Sequence, residues 1–168
     1  MQERGTAPPI GDPAQGASRR PLRRLLVAAG VAACVVAADQ LTKSWAVSRL
    51  SRGDIHVVWK LDLQLQYNSG SSFSFAQGWG PVIGGIAVVI IAVLVVQVRR
   101  ARSNAVAVAL GLVIGGALGN LSDRVFRSHH GSVVDFIALH FWPTFNVADS
   151  CVVVGSILLV ILLWRTPS

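Results

Sequence analysis

The chain has 168 residues, 52% of them hydrophobic and only 14% charged, with a formal net charge of +7. That balance lies outside the range of soluble globular domains and points to one small membrane domain. The positive charge does not imply a nucleic-acid partner. The arginines gather as Arg19, Arg20, Arg23 and Arg24 and again as Arg99, Arg100 and Arg102, each group flanking an apolar run, and no basic face with interleaved aromatics is present.

Residues 1–18 are rich in Gly, Pro, Ala and Gln without apolar periodicity and are expected to form a disordered cytoplasmic tail ahead of a single membrane domain at 19–168. The first apolar run covers about residues 22–41, and a hydrocarbon core of roughly 30 Å needs about 20 helical residues to cross. An outer segment of about 44–78 follows. In it Leu61, Leu63, Leu65 and Tyr67 alternate with Asp62, Gln64 and Gln66, the pattern of a half-buried strand. The second run, 81–98, lies between Trp79 and Arg99–Arg100, an aromatic anchor at one interface and a basic one at the other. The third covers 105–121, a second outer segment about 124–145, and the fourth run 147–164, followed by Arg165. Keeping both arginine clusters and Arg165 inside requires both termini to be cytoplasmic and the number of spans to be even. The expected fold is therefore a membrane all-α protein: a four-transmembrane-helix bundle with a small extracytoplasmic β element.

In that orientation Asp39, Asn68, Asn120, Asp123, Arg124, Asp135, Asn146 and Asp149 all fall at or beyond the outer ends of the spans. Asp39 and Lys43, and Asn120 and Arg124, are i,i+4 pairs; Asn146 and Asp149 are i,i+3. Gly115 and Gly119 have the small-xxx-small spacing that lets a second helix approach closely. Ionisable residues beside membrane spans are costly, which makes Asp135 and Asp149 candidates for function. Two carboxyls held close cannot both ionise cheaply. One keeps a proton while the other is charged, which suits general acid/base hydrolysis without a metal or other cofactor. The dipole at the start of the fourth span favours Asp149 as the base. Taken singly, Asp149 also reads as a helix cap and Asp135 as a loop residue, although Val133, Val134, Phe136 and Ile137 argue against free solvation. Asp39 with Lys43 reads as a structural ion pair, and Asp123 with Arg124 as a local scaffold. No H-E-x-x-H or G-x-S-x-G occurs, and the lysines, Lys43 and Lys60, are poorly placed for a serine/lysine mechanism. Cys34 and Cys151 fall within predicted spans, where they serve as small apolar residues.

The blocks D-Q-L-T-K (39–43), N-S-G-S-S-F-S (68–74), G-G-A-L-G-N-L-S-D-R (115–124), V-V-D-F (133–136) and F-N-V-A-D-S (145–150), in this order around four spans, resemble those of the lipoprotein signal peptidase (signal peptidase II) family. The resemblance runs from about residue 22 to 165. It implies an aspartyl endopeptidase of the bacterial cytoplasmic (inner) membrane that removes the signal peptide of a prolipoprotein just before its diacylglyceryl-modified cysteine. Asp135 and Asp149 would be the catalytic pair, supported by Asp39, Lys43, Asn68, Gly70, Asn120, Asp123, Arg124 and Asn146. The implied partners are the lipidated prolipoprotein and membrane lipids, the active site faces outward, and the protein is expected to be monomeric. Ser71 and Ser72 stand where the family usually carries two alanines, and the interval between Asp135 and Asp149 is shorter than in many relatives. Two other readings are open: a noncatalytic carrier or scaffold using intramembrane carboxylates, and a lipoprotein precursor in which Val31-Ala32-Ala33-Cys34 is a lipidation signal. Against the second, the apolar run continues past Cys34 and three more spans follow.

Overall fold

Runs of Val, Ile, Leu and Ala with charges only at their ends form helices that satisfy every interior backbone group internally, as a hydrocarbon environment demands. The computed structural model describes residues 13–69, 80–127 and 131–164. The elements are α1 (Pro13–Leu50), β1 (Ile55–Val58), β2 (Leu61–Asn68), α2 (Gly80–Arg100), α3 (Asn104–Phe126), β3 (Val133–Leu139), β4 (Trp142–Phe145) and α4 (Val147–Trp164). Among the described residues four helical segments are long and apolar enough to cross a membrane: Pro21–Leu50, Val82–Arg100, Asn104–Phe126 and Val147–Trp164. The outer faces of α2 and α4 expose Ile86, Val89, Val93, Val153, Ile157 and Ile161. In water such a face would drive aggregation; against acyl chains it is the ordinary surface of the protein.

Helix α3 is the central post, and its small residues set how closely its neighbours approach. A methyl group at Gly111 would stand 2.8 Å from the Ala28 carbonyl oxygen, and one at Gly115 would stand 2.9 Å from Ala32 Cα, so the α1 backbone lies directly on this face. On another face a methyl at Gly116 would collide with the Ala148 carbonyl of α4. The glycine spacing predicted close approach by one helix, and the structure packs two helices against these glycines. At one end of the bundle Arg24 Nη2 donates to the Arg102 carbonyl at 3.0 Å, which brings the two arginine clusters together. Beneath them Ala28, Ala32, Val98, Ala101, Ala107, Leu110 and Ile114 form an apolar core.

The opposite end carries a four-stranded antiparallel sheet in the order β1-β2-β3-β4. It sits on the end of α1, where Ala46, Leu50 and Phe136 are buried with Leu63, Leu65, Ile137 and Val147 around them. Of the strands, the alternation predicted only β2. Strand β3, V-V-D-F-I-A-L, is buried on both faces for most of its length and so lacks a period-two pattern, as expected of a covered strand. In the register Asp135 lies opposite Gln66, and Val133 opposite Asn68. His56 Nδ1 and His140 Nε2 lie 2.6 and 2.8 Å from the two oxygens of Asp62, tying β1 and the β3–β4 turn to β2.

Two boundaries differ from expectation. Helix α1 begins at Pro13, inside the stretch 1–18 expected to be a tail, and Pro is at home at a first helical position. Residues 1–12 lie outside the described part. At its other end α1 continues to Leu50 rather than stopping near residue 41. The segment Pro21–Leu50 is thus roughly 45 Å long, more than a bilayer core requires, and its last turns stand clear to support the sheet.

Candidate active site

Asp149 occupies the third position of α4. It accepts a hydrogen bond on Oδ2 from the Asn146 backbone N–H at 3.2 Å, while Asn146 Oδ1 accepts from the Asp149 N–H at 2.9 Å. This reciprocal arrangement is a capping box, here built from Asn and Asp. The capping reading of Asp149 is therefore correct as far as it goes, yet it uses one carboxylate oxygen. The other, Oδ1, accepts from Asn120 Nδ2 at 2.7 Å.

Asp135 lies mid-way along β3 and is 1% exposed. It accepts from Asn146 Nδ2 at 2.6 Å on Oδ1 and from Asn68 Nδ2 at 3.0 Å on Oδ2. Asn146 thus holds Asp135 with its side chain and Asp149 with its backbone, so both carboxyl groups lie around one residue. Burial, reinforced by the nearby charge of Asp149 and opposed by the amide donors of Asn68 and Asn146 and by the charge of Lys43, pushes the Asp135 carboxyl up to about 6. Among the described residues no set of His, Cys, Asp and Glu is arranged to hold a metal ion.

Behind the pair lies a fully buried charge cluster. Lys43 Nζ reaches Asp39 Oδ2 at 2.8 Å, Asp123 Oδ2 at 2.9 Å and Asn120 Oδ1 at 3.0 Å, so all three ammonium hydrogens have acceptors. Asp39 also accepts the Ala148 N–H at 3.0 Å, and Asp123 accepts the Val134 N–H at 3.0 Å. Each scaffold aspartate therefore grips the backbone one residue before a member of the pair. A methyl at Gly119 would stand 2.6 Å from Asp39 Oδ2, so only glycine leaves room for this cluster.

Asp39, Lys43, Asn68, Asn120, Asp123, Asp135, Asn146 and Asp149 converge as the sequence predicted. Arg124 also reaches the site: Nη1 donates to the Asn120 carbonyl at 3.4 Å, Asp149, Asp123 and Asp135 surround its charge, and its buried Nε meets no acceptor among the described residues. Gly70, with Ser71 and Ser72, lies outside the described residues. Sequence reasoning missed Gln40, whose Nε2 donates to Asp123 Oδ1 at 2.9 Å and to the Gly119 carbonyl at 3.1 Å, and Arg127, whose Nε donates to Asp123 Oδ1 at 3.0 Å. The i,i+4 spacing of Asp123 and Arg127 was a usable signal, and Gln40 stands inside the D-Q-L-T-K block without having been singled out.

A groove of about 360 Å³ lined by Leu139, Phe141, Trp142, Phe145, Val153 and Val154 runs along α4 to Asp149. A second groove of about 430 Å³, lined by Gln64, Gln66, Asn68, His140 and Thr144, lies over the sheet.

The profile of the signal peptidase (SPase) II family matches residues 31–165. A lipoprotein signal peptidase of Rhodococcus jostii is 44% identical over 161 residues, covering 90% of this chain and 80% of that protein. One of Mycobacterium avium is 44% identical over 152 residues, covering 85% and 81%. A bacterial membrane enzyme solved by the in meso method at 1.9 Å resolution superimposes with a TM-score of 0.74 at 30% identity, covering 83% of this chain and 94% of its own. The four-helix bundle, the four-stranded sheet and these matches agree: the chain belongs to the signal peptidase II family and is a peptidase.

Proposed function

We propose that the protein cleaves the signal peptide from diacylglyceryl-modified prolipoproteins immediately before the lipidated cysteine, with Asp135 and Asp149 as the catalytic pair. The observation that carries this reading is Asn146, which bonds one carboxyl through its side chain and the other through its backbone. The names of the relatives, lipoprotein signal peptidases, supply the substrate class.

The environments of the two carboxyls divide the labour. Asp135, the buried one with its proton affinity raised, holds the shared proton. Asp149, at a helix N-terminus with two N–H donors, is the anion. Asp149 takes a proton from the attacking water while Asp135 hydrogen-bonds the scissile carbonyl oxygen. Asp135 then gives its proton to the leaving amine as the tetrahedral species collapses and the carbonyl re-forms, while Asp149 keeps the proton taken from water, so the pair still holds one proton and no covalent intermediate forms. The Arg124 N–H groups add positive potential beside the developing oxyanion.

The apolar groove along α4 suits the acyl chains of the substrate, which reach Asp149 from the bilayer without crossing water. The positive-inside bias supports a cytoplasmic arginine end, with both termini inside and the site on the outer side of the cytoplasmic membrane.

The test is a gel-shift assay of the purified protein in detergent with a diacylglyceryl-modified prolipoprotein and its unlipidated form. Cleavage before the cysteine of the lipidated form alone is expected. Equal cleavage of both would remove the lipid from recognition, and no cleavage by folded protein would favour a carrier or scaffold.

A further inference from the structure

The proton-transfer chemistry does not use Lys43, although it is among the largest fully buried side chains and sits at the centre of the network. It belongs to α1, which contributes neither carboxyl of the pair. Its three acceptors lead to both members of the pair by short routes. Through Asp39 it reaches the Ala148 N–H, one residue before Asp149. Through Asp123 it reaches the Val134 N–H, one residue before Asp135. Through Asn120 Oδ1 it fixes the orientation of that carboxamide, so that Nδ2 must point at Asp149. The strand carrying Asp135 and the helix carrying Asp149 are thus clamped to one ammonium group.

We propose that Lys43 is a positioning residue that sets the separation and relative orientation of the Asp135 and Asp149 carboxyl groups. The proposal rests on the assignment of those two residues as the catalytic pair. A cation is suited to this task. Its attraction to Asp39 and Asp123 is little screened because all three side chains are fully buried, and its three hydrogen bonds leave it little freedom to drift. A neutral donor of similar length would tie the same groups more weakly.

The charged and titratable groups around the pair are Lys43 and Asp39 from α1 and Asp123 and Arg124 from α3, with Cys151 of α4 near Asp39. If Lys43 sets the spacing, its loss lets the carboxyls separate and their mutual interaction weaken. The two limbs of the bell-shaped rate profile report that interaction and draw together when it fades. A residue that served stability alone would lower the amount of folded enzyme and scale the profile without changing its shape.

The experiment compares the pH dependence of kcat and of kcat/KM for wild type, Lys43→Gln/Asp39→Asn and Asp149→Asn on the lipidated substrate in detergent. The double substitution keeps the net charge of the cluster and an acceptor for the Ala148 N–H. It is expected to lower kcat by about 100-fold with little change in KM, and to narrow the bell, because a small misplacement of reacting groups carries a loss of that order. Wild-type kcat per folded molecule, or an unchanged profile shape, would overturn the proposal. If the double variant shows no cooperative melting transition, Lys43→Arg serves instead. Its larger head group keeps the charge but spreads Asp39 and Asp123, so the same narrowing is expected and an unaltered bell would again overturn the proposal. Activity in Asp149→Asn would instead sink the catalytic pair itself, and the two failures remain distinguishable.

Discussion

Replacing Asp135 with Asn should destroy activity and at the same time reverse sign in its effect on stability as the pH changes. The carboxyl is 1% exposed, and burial raises it from 3.8 to about 6. The folded state therefore binds this proton more tightly than the unfolded state does. Its contribution to stability is fully present below about pH 4 and is lost as the pH rises through about 6. At roughly 1.36 kcal/mol per pH unit, the loss amounts to about 3 kcal/mol. Asn does not titrate and escapes that loss. Against this, Asn68 and Asn146 both donate to Asp135, and an Asn side chain can accept from only one of them without opposing N–H groups. That mismatch costs about 1–2 kcal/mol at any pH. The variant should therefore be less stable than wild type at pH 4 and more stable at pH 7.5. Groups that do not interact with Asp135 titrate alike in both proteins and cancel. For a chain of this size, 1 kcal/mol moves Tm by about 2–4 °C, so the difference in Tm between variant and wild type should swing by about 6–12 °C across this range. Thermal unfolding in detergent, followed by tryptophan fluorescence at several pH values, measures it directly. Parallel Tm curves for the two proteins would refute the reasoning, because they would mean that Asp135 does not titrate differently on folding.

Gly119→Ala places a methyl 2.6 Å from Asp39 Oδ2 and 3.3 Å from Ala148 Cβ, and should cost about 1–3 kcal/mol of stability together with much of kcat. Thermal melting and turnover check the two parts. Asn146→Ala removes the side chain that bonds Asp135 and caps α4; it should lower kcat by about 100-fold and lower Tm, read from the same assays. Asp62→Asn acts on the exposed face of the sheet, where the two histidine contacts hold its carboxyl below the ordinary carboxylate range. The stability it supplies is present above that range and lost as the pH falls through the depressed value. Asp62→Asn should therefore give a slightly lower Tm at pH 6, a gap that closes in acid, and an unchanged kcat.

The four spans were legible because long apolar runs with basic ends leave few structural choices. The sheet end of the fold was less so. Strand β3 is buried on both faces and has no alternation to read, and β1 and β4 are four residues each, too short for periodicity to register. At the site, spacing reveals only partners on the same element. It found Asp39 with Lys43, and Asn146 with Asp149. It could not show that Asp39 accepts the Ala148 N–H 109 residues away, or that Lys43 joins α1 to Asp123 and Asn120 on α3. Asp149 shows why single-residue readings fall short: capping a helix and facing Asn120 are properties of its two different oxygens. The lone strand seen in Leu61–Tyr67 was an accurate fragment of a sheet whose other members are made visible only by their partners.

The central claim is that Asp135 and Asp149 perform the hydrolysis together, and single-turnover cleavage of a diacylglyceryl-modified prolipoprotein by wild type, Asp135→Asn and Asp149→Asn tests it most directly. With folding of each protein verified by its melting transition, the account predicts cleavage before the lipidated cysteine by wild type and no product from either variant. Product formation by a folded Asp135→Asn or Asp149→Asn protein at a rate near that of wild type would contradict it.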